Sequence, residues 1–414
     1  MARSTTFKYT VTVANPGSGN RYYIDGILQQ YVVLFPGCTY EFNQNDSSNG
    51  GHPLRFSQTS GGTHNSGSEY TTGVTTSGTP GSATAFTKIE VTSSTPFVLY
   101  YYCTNHNYMG GEINIPANMT IPGDRALQAG GESPATSNID YLTISTTGNA
   151  TKFGDLIVAS FDGINCVGGT TRAFFGGGAQ PSGWSDRVMA VDFASKGNCS
   201  DFNNLTEARR DVTATGNSIK GIYAGGSNPS NAVVNTIQQF LQSSLGNCID
   251  FGDLTISVKR CAPSQSPTRG IIGGGDTGSN SNVIGYITFT TQGNALDFGD
   301  LTAATKYLGG NSNSTRGIFA GGDSGSITNT ISYVTISSTS NSTDFGDLTQ
   351  AREGLNGASN TTRCVFMGGT TPSSVNTVDY VTIASTSNAT DFGDLTYTAT
   401  SGGGGNSNGH GGLA

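Results

Sequence analysis

Four residues in the first third of the chain have side chains that bind soft metals. They are His52, followed at a distance by Cys103, His106 and Met109 in the run Tyr-Tyr-Tyr-Cys-Thr-Asn-His-Asn-Tyr-Met-Gly-Gly. A thiolate and two imidazoles make a trigonal plane suited to one copper ion, and a thioether adds a weak axial bond that tunes its potential. Cys-x2-His-x2-Met is compact enough for three such groups to emerge from one turn. The chain has four histidines in all, and two of them fall here. The same residues also have a purely structural use, with Cys103 a buried thiol and both histidines bonded to backbone.

These residues need strands to hold them. From Phe7 to Ile115 the sequence alternates short apolar-polar runs with turns, including Tyr9-Thr-Val-Thr-Val, Tyr22-Tyr-Ile-Asp-Gly, Thr39-Tyr-Glu-Phe, His52-Pro-Leu-Arg-Phe-Ser, Ala85-Phe-Thr-Lys-Ile-Glu-Val and Phe97-Val-Leu-Tyr-Tyr-Tyr-Cys103. Seven or eight such runs in this length predict a β-sandwich over residues 1–115. The segment resembles the cupredoxin family: Gly51-His52-Pro53 matches the upstream histidine that opens a strand, and the Cys103 to Met109 run matches the ligand loop of amicyanin-like members. The resemblance implies a Greek-key sandwich, type 1-like mononuclear copper as cofactor, and His52, Cys103, His106 and Met109 as its ligands. Cys38 has no matching role.

After a linker at 116–124, residues 125–414 say nearly the same thing six times. Phe-Gly-Asp-Leu begins at Phe153, Phe251, Phe298, Phe345 and Phe392, with Phe-Asn-Asn-Leu at Phe202. A period of about 50 residues marks one structural unit copied along a ring or an array. Each copy opens with a cation and an apolar strand (Arg125, Arg172, Lys220, Arg269, Arg316, Arg363) and closes that strand on a double glycine. An alternating strand such as Ile331-Ser-Tyr-Val-Thr-Ile follows, then the Phe-Gly-Asp-Leu strand and a fourth segment. Four short strands per copy predict six blades starting near 125, 172, 220, 269, 316 and 363. The double glycines and the period resemble Kelch-type repeats, although the Kelch tryptophan is missing. The first copy lacks its leading segment, and the tail 397–410 carries a match to it. We therefore expect an all-β chain whose six-bladed β-propeller is closed by its C-terminus.

The repeated cations and the acids at Asp155, Asp253, Asp300, Asp347 and Asp394 are expected to make turns and blade-to-blade hydrogen bonds. Glycoside cleavage needs one exceptional pair of carboxylates, and acids that recur in every copy do not provide it, so no enzyme is expected. Function in such a ring sits in the loops after each double glycine, where Trp184 is a candidate ligand-contact residue or a lid on its own loop.

The formal net charge is −8 and charged residues are only 12% of the chain. With no basic cluster to neutralise phosphates, nucleic acid is not an expected partner. The N-terminus runs directly into strand pattern, so neither a cleaved signal nor a membrane span is expected. Cys199 and Cys248 take a slot that other copies fill with Ala or Ser, so reduced, packed thiols are expected.

A cupredoxin-like module ahead of a Gly/Ser/Asn-rich Kelch-like ring resembles virion structural proteins of tailed phages, particularly those of marine cyanobacteria. That resemblance implies an appendage or decoration protein located on the virion. The sandwich would dock on capsid, neck or tail proteins, and the propeller loops would face outward, toward host-surface glycans. It also implies a homo-oligomer. The rivals are a copper-binding electron carrier and a copper oxidoreductase of the nitrous-oxide reductase kind, whose dinuclear site needs paired cysteines that Cys103 lacks.

Overall fold

The computed structural model describes residues 6–34, 38–92, 95–115, 123–131, 135–160, 162–399 and 402–413. The expected linker lies, up to residue 122, outside them. The chain divides into two compact units, Met1–Ile121 and Pro122–Ala414. Both are built from β-strands, as the alternating runs predict.

In the first unit a six-stranded and a five-stranded sheet share a core that includes Tyr22, Phe42, Phe56, Leu99, Tyr101 and Ile113. Period-2 alternation puts one side of each strand into that core. Thr6–Ala14 pairs parallel with Thr39–Asn43 and antiparallel with Arg21–Ile24. The two sheets hold more strands than the seven or eight expected. The surplus comes from pairings such as Ile27–Leu28 and Glu69–Tyr70, which are too short to leave a periodic signal.

The second unit contains six antiparallel sheets. In the fifth repeat the order is Gly309–Ser312, Arg316–Ala320, Thr330–Thr335, Thr343–Asp347, each strand pairing with the next. Two repeats depart from four strands. Gly183–Trp184 folds back on Ala179 and Gln180, and Thr370–Thr371 pairs with Ser373 and Ser374, where loops were expected. Tyr397 also differs from expectation, because it belongs to the outer strand Thr390–Ala399 of the sixth sheet. The tail strand proper is Gly404–Ser407, which pairs antiparallel with Arg125–Ala129 of the first sheet. The innermost strands neighbour one another in the order Gly404–Ser407, Asp162–Gly168, Thr213–Gly216, Ala262–Gln265, Gly309–Ser312, Asn356–Ser359 and back to the first.

Three sets of hydrogen bonds stitch each sheet to the next. The repeated cation reaches a carbonyl one repeat onward: Arg269 to Ile336 O at 2.9 Å, Arg316 to Ile383 O at 2.7 Å, Arg125 to Phe193 O, and Arg363 to Ser145 O at 2.9 Å, which spans from the sixth repeat to the first. Each of these guanidiniums also lies over a tyrosine ring of its own sheet, at 4.3–4.9 Å. In the second set, the acids expected to bridge repeats use their backbone instead. The N–H of Asp300 bonds to Asn341 Oδ1, that of Asp347 to Asn388, and that of Asp394 to Asn149. The asparagine in the turn before the next repeat's Phe-Gly-Asp-Leu strand is therefore the bridging side chain, because an amide oxygen accepts from an orphan N–H without bringing a charge. The third set is described with the cavity below.

The tail ends by crossing the middle of this unit. Asn406 accepts from Asn311 at 3.0 Å and donates to Cys166 O at 3.1 Å, among residues with almost no exposure. A Cβ on Gly411 would lie 2.1 Å from Asn313 O, so only glycine fits there. His410, 1% exposed, donates from Nε2 to Gly168 O at 2.8 Å and accepts at Nδ1 from the Gly412 N–H at 3.1 Å. A proton on Nδ1 would set two N–H groups against each other. Burial accordingly holds the imidazole down at about 4. Unfolded histidine titrates near 6.5, so between that pH and about 4 the unfolded chain binds a proton that the folded chain refuses. Stability is lost as pH falls through this window, by about 3 kcal/mol in all. Thermal melts from pH 7 to pH 4 should show His410→Gln, which keeps a donor and an acceptor, losing less stability on acidification than the parent. Equal losses would contradict this account.

Candidate metal centre

Register brings the first-unit residues together. Strand Val98–Cys103 pairs antiparallel with Leu54–Ser57, so that Cys103 stands opposite Leu54, two residues after His52. The chain then turns tightly through His106 and returns as Gly111–Asn114. Gly110 permits that return, since a Cβ there would sit 1.6 Å from Tyr101 O.

Cys103 Sγ lies 3.8 Å from His52 Nδ1 and 3.7 Å from His106 Nδ1, and the three ligand atoms all fall within 4.8 Å of one another. Bonds of about 2.3 Å to thiolate and about 2.0 Å to imidazole, set 120° apart, separate sulfur from nitrogen by about 3.7 Å. The trio is thus spaced for one ion at its centre. Cys103 and His52 are buried, whereas His106 is exposed. Met109, 1% exposed, belongs to the same core cluster as Cys103 and lines, with His106, Arg21, Tyr100 and Glu112, a cavity of about 520 Å³.

Supporting groups fix these side chains. Tyr22 Oη and Gln44 Nε2 both donate to His52 O, at 2.7 and 2.8 Å, and the Gln44 oxygen accepts from Leu54 N. Asn20 Nδ2 sits 3.4 Å from His52 Nε2 and can donate to that nitrogen; a metal on Nδ1 would put a proton on Nε2 and require the Asn20 amide to turn its oxygen toward the ring. His64 reaches Cys103 O at 2.9 Å, and Asn105 donates to Gly51 O at 2.9 Å. Burial, then the neighbouring His106, hold His52 below the usual histidine range, which keeps it neutral and ready to ligate without first losing a proton. Spacing in the sequence singles out His52, Cys103, His106 and Met109, of which the first three form the cluster, and gives no sign of Asn20, Tyr22, Gln44 or His64. Single polar residues in turns carry no spacing signal.

All seven cysteines are free. Six are buried and Cys38 is half-buried. Trp184 lies in the second unit on the short hairpin strand, half-buried, with the Arg210 guanidinium 4.7 Å from its ring centre. One face of the indole is therefore occupied by its own repeat's neighbour.

No family model matches the chain and no curated protein matches it. Among solved structures, the one described as "Structure of YjhT" is similar with a TM-score of 0.55 at 12% identity, over 66% of this chain and 95% of that one. At that identity the likeness bears on fold alone, and it agrees with an all-β chain.

Proposed function

We propose that the protein is a structural component of a tailed-phage virion, an appendage or decoration protein, in which a six-bladed Kelch-like β-propeller is displayed by a cupredoxin-like domain docked on the particle. The observation that carries the reading is the second unit's construction. Its sheets are bonded to one another through repeated backbone-anchoring residues, so the repeats are free to differ only in their connecting loops. A scaffold of this kind would present those loops to host-surface glycans. The pairing of Gly404–Ser407 with Arg125–Ala129 supports closure of the propeller by the C-terminus, and the resemblance to cyanophage proteins supports the setting. Immunogold labelling with an antibody against the chain tests it on particles purified from infected cyanobacterial cultures. Label on the particles is expected, and label confined to the soluble lysate would contradict it.

The spacing of His52, Cys103 and His106 favours a second property of the same molecule: these three, with Met109, would hold one type 1-like copper ion in the first unit. Copper held there would supply reversible one-electron transfer. Around it Tyr22 and Gln44 hold the His52 backbone, Asn20 fixes its ring, and His106 offers the exposed edge through which an electron would pass.

A further inference from the structure

The third set of bonds between repeats runs around one end of the second unit. Asp211 N–H donates to Gly163 O at 3.0 Å, Arg260 to Asp211 at 3.1 Å, Tyr307 to Arg260 at 3.1 Å and Gly354 to Tyr307 at 2.7 Å, while Gly402 O accepts from Ile164. All six belt residues have left-handed backbone, with φ from 58° to 113°. Such φ suits glycine and strains a side chain. Gly163, Gly354 and Gly402 obey that rule; Asp211, Arg260 and Tyr307 break it. Asparagine and aspartate tolerate this conformation, but arginine and tyrosine do so rarely. The glycine repeats are an internal control showing that the belt itself needs no side chain here. Strain kept where the fold does not need it points to use.

The belt surrounds a cavity of about 50 Å³, room for a few water-sized groups. It opens at the end of the innermost strands opposite the His410 plug. Three unmatched polar atoms belong to residues that line it. Asp211, 4% exposed, has an Oδ2 that receives no hydrogen bond, although Arg260 Nε stands 3.3 Å away and Arg210 Nε 3.7 Å away as ion pairs. Arg260 Nε makes no hydrogen bond beyond that ion pair, and Asn356 Nδ2 has no acceptor. The paired charges balance, three cations against three acids, since Arg260 also faces Asp276 at 3.5 Å, Arg210 faces Asp162 at 3.5 Å and Lys259 faces Asp276 at 3.9 Å. A free ion therefore finds little net attraction, whereas a group that both donates and accepts finds complementary partners. Tyr307, stacked against Arg260 at 4.3 Å, adds an aromatic wall.

We propose that this cavity receives the hydroxyl edge of a neutral sugar or polyol, one hydroxyl donating to Asp211 Oδ2 and its neighbour accepting from Arg260 Nε and Asn356 Nδ2. The ligand class rests on the glycan-facing reading of the second unit. Saturation-transfer NMR on the full chain tests it with glucose, galactose, mannose, N-acetylglucosamine and glycerol as probes. At least one is expected to bind, and the isosteric Asp211→Asn, which turns the key acceptor into a donor, should weaken it tenfold or more. Tyr307→Gly should weaken binding while raising or preserving the melting temperature, because it restores the residue that other repeats use. Binding that survives Asp211→Asn, or no probe bound by the intact chain, overturns the proposal. If the chain still attaches to cyanobacterial cells in either case, the display reading stands and only the cavity assignment falls.

Discussion

Titrated with copper(II), the full chain is expected to take up one tightly held ion per molecule and to develop the intense visible absorption of a copper thiolate, and Cys103→Ser is expected to lose that absorption completely. The effect is large because the thiolate is both a ligand and the source of the charge-transfer band, whereas serine at neutral pH offers only a neutral hydroxyl. His52→Ala removes one corner of the plane and should weaken binding by more than the roughly 10–100-fold that a supporting residue commands. Gln44→Ala and Asn20→Ala should fall within that smaller range, since they loosen the His52 backbone and ring without removing a donor. The other six cysteines serve as an internal control. Burial pushes the thiols of Cys199, Cys248 and Cys261 up to about 12, so they resist forming the thiolate that copper needs. Copper uptake unaffected by Cys103→Ser would place the ion elsewhere.

Ending the chain at Ala399 is expected to abolish cooperative melting of the second unit. The deletion removes the strand paired with Arg125–Ala129, the Asn406 bonds to Asn311 and Cys166, the His410 bond to Gly168 and the Gly402 bond to Ile164. It leaves buried partners unmatched in several repeats at once. With each bond worth about 1 kcal/mol and each orphaned buried group costing about 1–3 kcal/mol, the loss rivals the ~5–15 kcal/mol that holds a whole domain together. Calorimetry of the truncated chain should retain the transition of the first unit and lose a sharp second one. A truncated chain that melts like the parent would show that the tail is an appendage to an already complete structure.

Much of this was legible from spacing. The repeat period, the double glycines and the missing leading segment together imply a tail returning to the first repeat, because each reports backbone geometry that few residue types satisfy. Cys103, His106 and Met109 are readable because one turn carries them all, and His52 because histidine is scarce here. The failures share a physical cause. Asn341, Asn388 and Asn149 bridge repeats, but in an Asn-rich chain their type carries no signal, and the neighbouring aspartates drew attention that belongs to their backbone N–H groups. The left-handed belt was hidden at Asp211, Arg260 and Tyr307, where the residue gives no hint of the φ imposed on it; the glycines at equivalent places become informative only once the sheets are superposed in register. Spacing places Trp184 in a loop, as a ligand contact or as a lid on that loop, but gives no hint of the two-residue hairpin strand and the Arg210 guanidinium that hold it.

Amide exchange along Arg125–Ala129 tests closure of the proposed propeller most directly, because successive amides of this strand point alternately toward Thr136–Thr143 and toward the C-terminal strand. The account predicts that both sets are protected as strongly as the amides of the equivalent strand Arg363–Met367. Rapid exchange of the alternate amides that face Gly404–Ser407, as at a free sheet edge, would contradict it.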